Sequence, residues 1–185
     1  SWVSLGVLSL SRSLEPVGYG RTLTLGGIAR GLSGVLLEQR SASGWQAVAA
    51  PVTDGRGQFS IETPALASAD FRLSGGSAGS SASAAVAGGI LAVPVVSKVK
   101  LQPSIDLTGL SGVLRPAIGG ARVEIQFDGS GTGTSWQPVA SATVGVDGSF
   151  VATLPVVAGA YRAVLPTAGG LAATTSAPVR VTIPS

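Results

Sequence analysis

Apolar and polar residues alternate along this chain with a period of two, as in Gln58-Phe59-Ser60-Ile61-Glu62 after Gly57 and Ser149-Phe150-Val151-Ala152-Thr153-Leu154 after Gly148. That alternation sends one set of side chains inward and the other outward from a pleated strand. No stretch keeps apolar residues three and four apart, and Gly or Pro breaks nearly every segment long enough to be a helix. The pattern predicts an all-β chain of short strands with little or no helix.

The same strands occur twice. Trp45-Gln46-Ala47-Val48-Ala49 lies over Trp136-Gln137-Pro138-Val139-Ala140, and in both copies a Phe, Phe59 or Phe150, follows the Trp by 14 residues. Downstream, Phe71-Arg72 matches Tyr161-Arg162. Upstream, Val35-Leu36-Leu37-Glu38-Gln39 is aligned with Arg122-Val123-Glu124-Ile125-Gln126, and Leu25-Gly26-Gly27-Ile28 with Leu110-Ser111-Gly112-Val113. The second copy carries an insert at 127–135, rich in Gly, Ser and Thr. Asp-Gly pairs at 54–55 and 147–148 read as hairpin turns, since both residues tolerate positive φ. A repeat spanning most of each half predicts two tandem domains, 1–90 and 91–185. The first includes an N-terminal strand over 1–11.

No charge occurs between Arg72 and Lys98, a run long enough to cross a membrane, but its paired glycines, serines and Pro94 argue against a span. By position it holds the last strand of copy one, a connection near Gly88-Gly89, and the first strand of copy two from Leu91 to Leu101. The end of copy two falls at Ala177–Ile183.

Composition narrows the chemistry. The 185 residues are 45% hydrophobic but only 11% charged, against roughly 25% charged in an ordinary soluble domain. Cys, His and Met are absent, and so is Asn. Disulfides, thiol catalysis, imidazole or thiolate metal ligands and N-glycosylation are thereby excluded. The net charge of +3 is spread singly, with Lys98 and Lys100 the nearest approach to a cluster, so no basic stripe for nucleic acid is present. The chain starts at Ser1, which is expected of a mature form that has lost an export signal.

The Val/Leu-Glu-Gln segments, the Gly/Ser-Trp-Gln-x-Val strand, the Asp-Gly turn before Phe and the Phe/Tyr-Arg pair resemble the tandem immunoglobulin-like repeats of large secreted and cell-surface proteins of actinobacteria and related bacteria. The resemblance implies two immunoglobulin-like β-sandwiches serving as spacers, stalks or accessory domains. It transfers no catalytic or ligand residue, because the matching positions are core and turn positions.

Candidate chemistry is correspondingly thin. A Ser or Thr nucleophile would lack a His or Cys partner, and no nucleophile elbow sits between a strand and a helix. Gly129-Ser130-Gly131-Thr132-Gly133 lacks the Lys and helix of a phosphate loop and reads as a loop tip. No dense Asp run supplies six to eight oxygens for calcium. No catalytic residue, cofactor or metal site is expected. Trp45 and Trp136, recurring at one repeat position, are expected as core anchors with Phe59, Phe71, Phe150 and Tyr161. A weaker expectation places a ligand loop at Phe127, Asp128 and Trp136, where a cell-surface polysaccharide would bind.

The uncharged segment Trp2 to Leu10 has strand character and no repeat partner among the Trp residues. It is either the first strand of copy one, equivalent to Leu91 to Leu101, or a strand contributed to a neighbouring subunit. The expected function is a non-catalytic extracellular structural protein self-associating head-to-tail into a fibre. Its subunit contacts are expected at Trp2, Val3, Leu5, Val7, Leu8, Leu10, Ile90, Leu91, Val93 and Val95. The alternative is an accessory carbohydrate-binding module of a larger secreted hydrolase or adhesin.

Overall fold

The computed structural model describes residues 7–12, 15–77 and 85–183, and these contain strands, turns and irregular segments but no helix. Two compact units divide the chain, Ser1–Pro94 and Val95–Ser185. The first holds β1 (Val7–Ser11), β2 (Val17–Gly18), β3 (Thr22–Arg30), β4 (Leu32–Ser41), β5 (Gly44–Ala49), β6 (Gln58–Pro64), β7 (Ala69–Ser77), β8 (Ala85–Ala87) and β9 (Leu91–Val93). The second holds β10 (Val95–Val96), β11 (Lys98–Pro103), β12 (Gly109–Arg115), β13 (Arg122–Asp128), β14 (Gln137–Thr143), β15 (Ser149–Thr153), β16 (Gly159–Leu165), β17 (Thr174–Thr175) and β18 (Val179–Val181).

Each unit is an immunoglobulin-like β-sandwich. In the first, a sheet of order β1-β3-β6 faces one of order β5-β4-β7, which β8 and β9 extend beyond β7. In the second, β11-β12-β15 faces β14-β13-β16, extended by β17 and β18. The inward residues of both sheets make the core: Leu110, Leu114, Phe150 and Ala152 from one, Val123, Ile125, Tyr161 and Ala163 from the other. Leu23, Leu25, Phe59, Leu37, Phe71 and Leu73 are buried in the first unit. Burial of each large side chain contributes about 1.5–3 kcal/mol.

One packing device is duplicated. Gly27 lies opposite Phe59 and Gly112 opposite Phe150, and a Cβ on either glycine would run into that Phe ring and into the carbonyl of Ser9 or Lys100. The ring covers the glycine because nothing projects from it.

Several expectations are corrected by the strand pairing. The 54–57 and 145–148 turns are tight, with Gly57 and Gly148 at positive φ and their amides bonded back to Asp54 and Gly145. They join strands of opposite sheets, β5 to β6 and β14 to β15, so they are sandwich corners and not hairpins. The Asp residues sit at different turn positions, Asp54 accepting from Arg56 and Gln58 and Asp147 from Ser149. Arg72 pairs with Glu38 and Arg162 with Gln126, which places Leu37 over Ile125. The aligned register of that segment was therefore one residue out, a slip that exchanges inward for outward side chains.

The last strand is broken in two in both units. β8 pairs near Ser74 and β9 near Phe71, as β17 pairs near Val164 and β18 near Tyr161. Leu91–Val93 is thus the counterpart of Val179–Val181 and closes the first sandwich. The first strand of the second is Lys98–Pro103, paired with β12, and Gly88-Gly89 lies within the first unit. The division after Pro94 stands four residues beyond the expected one.

Candidate interaction surfaces

Trp45 and Trp136 are half-buried on the outward sheet face, not in the core. The Arg72 guanidinium stands 4.4 Å from the Trp45 ring centroid, and Arg162 stands 4.3 Å from that of Trp136. Arg72 Nε donates to Glu38 Oε2 at 2.6 Å. That bond holds the Glu38 carboxyl below the ordinary carboxylate range, assisted by the Ser74 hydroxyl. In the second unit Arg162 Nε donates to Gln126 Oε1 at 2.8 Å, and Gln126 Nε2 donates to Glu124 Oε1 at 2.7 Å. The recurring Trp and Arg are therefore partners across an outer face, the guanidinium lying over one face of the indole. The four smaller anchors, Phe59, Phe71, Phe150 and Tyr161, are buried. The Tyr161 hydroxyl accepts the Val157 amide at 3.0 Å and donates to the Val157 carbonyl at 3.2 Å, an anchor Phe71 cannot make.

The 127–135 insert is knitted onto one carboxylate. Asp128 is fully buried; its Oδ1 accepts from the Ser130 amide and hydroxyl at 2.9 and 2.6 Å. Its Oδ2 accepts from the amides of Gly133 and Thr134 at 2.6 and 3.1 Å. Led by the Ser130 hydroxyl, these donors lower the carboxyl pKa to about 2. Because Ser130 spends its proton on Asp128, Thr132 must donate to Ser130 and Thr134 to Thr132, over 2.7 and 2.8 Å, giving a polarised hydroxyl chain. Trp136 Nε1 donates to the Gly133 carbonyl at 2.9 Å, and Phe127 stacks on Tyr161 with ring centroids 4.7 Å apart. With four donors on two oxygens, Asp128 is a loop staple with no lone pair left for a cation. Among the described residues no group of three or more acidic or other ligating side chains is clustered for a metal.

Of the expected subunit contacts, Trp2, Val3 and Leu5 lie outside the described residues. Val7, Leu8 and Leu10 belong to β1, which pairs with β3 of its own unit, so they form the first strand of that sandwich. Its counterpart is β11, which shares only Lys98–Leu101 with the expected Leu91 to Leu101. Gly88 rests against Leu8. Ile90 is 60% exposed and Leu91 half-buried, whereas Val93 and Val95 are 2% and 1% exposed and have no surface to offer a neighbour.

One duplicated pair escaped the repeat. Arg30 donates to the Arg56 carbonyl and Arg115 to the Asp147 carbonyl, each clamping the corner turn before Gly57 or Gly148. The signal was present two residues beyond the aligned segment, in Leu25-Gly26-Gly27-Ile28-Ala29-Arg30 over Leu110-Ser111-Gly112-Val113-Leu114-Arg115.

No protein-family model matches the chain, and no curated protein matches it in sequence. Solved structures align with most of the chain at low identity. A tetra-tandem repeat from the extending region of a large adhesion protein is 16% identical, with a TM-score of 0.43, over 96% of this chain and 49% of its own. A biofilm-associated protein's BSP domain is 12% identical, with a TM-score of 0.37, over 94% of this chain and 29% of its own. A chimeric titin tandem is 15% identical, with a TM-score of 0.36, over 93% and 97%. The chain spans about half the length of the first of these and less than a third of the second.

Proposed function

We propose that this chain is a non-catalytic structural pair of immunoglobulin-like modules from a secreted or cell-surface protein, of the kind found in actinobacteria and related bacteria, and that it self-associates through its sheet edges. One observation carries this reading: the Trp and Arg side chains that recur between the copies are engaged with partners of their own sandwich. Arg72 and Arg162 are occupied by Trp45, Glu38, Trp136 and Gln126, Arg30 and Arg115 clamp corners, and the insert is folded onto Asp128. Such a surface offers shape and strand edges to a partner, not reactive groups. The low charge favours association over solitary solubility.

Static light scattering across a concentration series, alongside a glycan array, tests the reading. The expected result is an apparent mass that rises with concentration and no glycan retained above background. Polysaccharide binding that Trp136→Ala abolishes while the fold persists would replace it with an accessory carbohydrate-binding role.

A further inference from the structure

Sheet edges with unpaired amides and carbonyls invite another strand, and proteins block them with Lys, Pro, bulges, acidic residues or cover. Several edges here carry such a block. β5 and β14 are both bulged, and β14 also has Pro138. β6 carries Glu62 and Pro64. β11 presents Lys98 and Lys100 outward.

β1 carries no such block, as is also true of β15 and of the short β8 and β9, and it differs in this from its own counterpart in the second unit. The pairing of Leu10 with Gly27 and of Leu101 with Gly112 makes β1 the counterpart of β11. In that register Val7 and Ser9 occupy the positions of Lys98 and Lys100. β1 ends its sheet, has no bulge, no Pro and no charge, and exposes Val7 at 45%.

We infer that β1 is an association edge whose occupant is β1 of a second copy of this chain, added antiparallel about a two-fold axis at Ser9. The sequence Leu8-Ser9-Leu10 is symmetric about that residue. Two-fold pairing sets Ser9 against Ser9, Leu8 against Leu10 and Val7 against Ser11, so apolar meets apolar on the core side and no charge faces its own copy. Directly opposed residues of an antiparallel pair lie about 4.5–5.5 Å apart at Cβ, close enough for two serines to bond. The same operation on β11 would set Lys100 against itself. A five-residue edge buries little area, so the contact is weak and populated at high local concentration. This inference rests on the self-association half of the proposed function and names its surface.

The chain has no cysteine, so single substitutions report cleanly. Ser9→Cys under mild oxidation is expected to give a covalent dimer, because the two sulfurs meet on the axis, whereas Lys100→Cys gives none. The double substitution Val7→Lys/Ser9→Lys copies the block of β11 and is expected to weaken dimerisation about tenfold or more, with the far-UV spectrum and melting temperature unchanged. Association undiminished by Val7→Lys/Ser9→Lys, with no Ser9→Cys dimer, would overturn the β1 assignment and leave self-association standing. A wild-type chain monomeric at every concentration would overturn both.

Discussion

Asp128 is fully buried and accepts from the insert it closes. Its folded pKa of about 2 lies below the ordinary value of about 3.9, so it stabilises the fold above that ordinary value. The contribution is lost as pH falls from there through 2. Melting curves between neutral and strongly acid pH should show Asp128→Asn well below the wild type at pH 7 and converging on it near pH 2; a constant gap would refute the staple. Gly112 is the second critical residue. Gly112→Ala forces a methyl into Phe150 and the Lys100 carbonyl and is expected to cost about 1–3 kcal/mol in denaturant titration, with Gly27→Ala costing a similar amount. Tyr161→Phe removes two bonds to Val157 and is expected to cost about 0.5–1.5 kcal/mol. Phe71 at the same place in the first sandwich shows that the ring alone still supports the fold. The buried Phe positions at 59 and 150 were legible because each sits in a cleanly alternating run, Gln58–Glu62 and Ser149–Leu154, and Phe71 and Tyr161 because they recur before an Arg on strands paired on both sides. Trp45 and Trp136 were not. They stand at the starts of edge strands, where the inward and outward faces are distinguished by partners the alternation does not reveal.

At the scale of elements, the outer-face pairing of Trp with Arg joins an edge strand to a strand two places away. A double-mutant cycle of Trp136→Ala and Arg162→Ala should return a coupling of about 0.5–1 kcal/mol, the range of exposed cation–π pairs. Additivity within error would reduce the contact to coincidence. Strand existence and the duplication were readable from Gly, Asp and Phe spacing, yet three features were not. The corner turns looked like hairpins because a tight turn has the same residues whether its strands share a sheet or change sheets. The segment at Val35 slipped by one because Glu-Gln in one copy resembles Glu-Ile-Gln in the other, and only the pairing with Arg72 and Arg162 decides it. The last strand looked like one strand and a linker because Gly88-Gly89 reads as a connection. It is instead the break between two short strands that both pair with β7.

Across the whole molecule the two sandwiches share one plan and differ on two edge strands and at one buried anchor. The second has lysines on its first edge, a proline in its β14 edge and a tyrosine anchor; the first has valine and serine, alanine and phenylalanine at those places. Duplication supplied the core twice, and the divergence left β1 unblocked. That contrast required the register of both first strands, which the repeat alone could not supply, since Val7–Ser11 and Lys98–Pro103 share little beyond their alternation. The most direct test of the account is sedimentation velocity on the 18.2 kDa chain, run from micromolar to millimolar concentration beside its Val7→Lys/Ser9→Lys variant. The account predicts a wild-type sedimentation coefficient that climbs with concentration towards a dimer and a variant that stays monomeric. Identical, concentration-independent boundaries for the two proteins would contradict it.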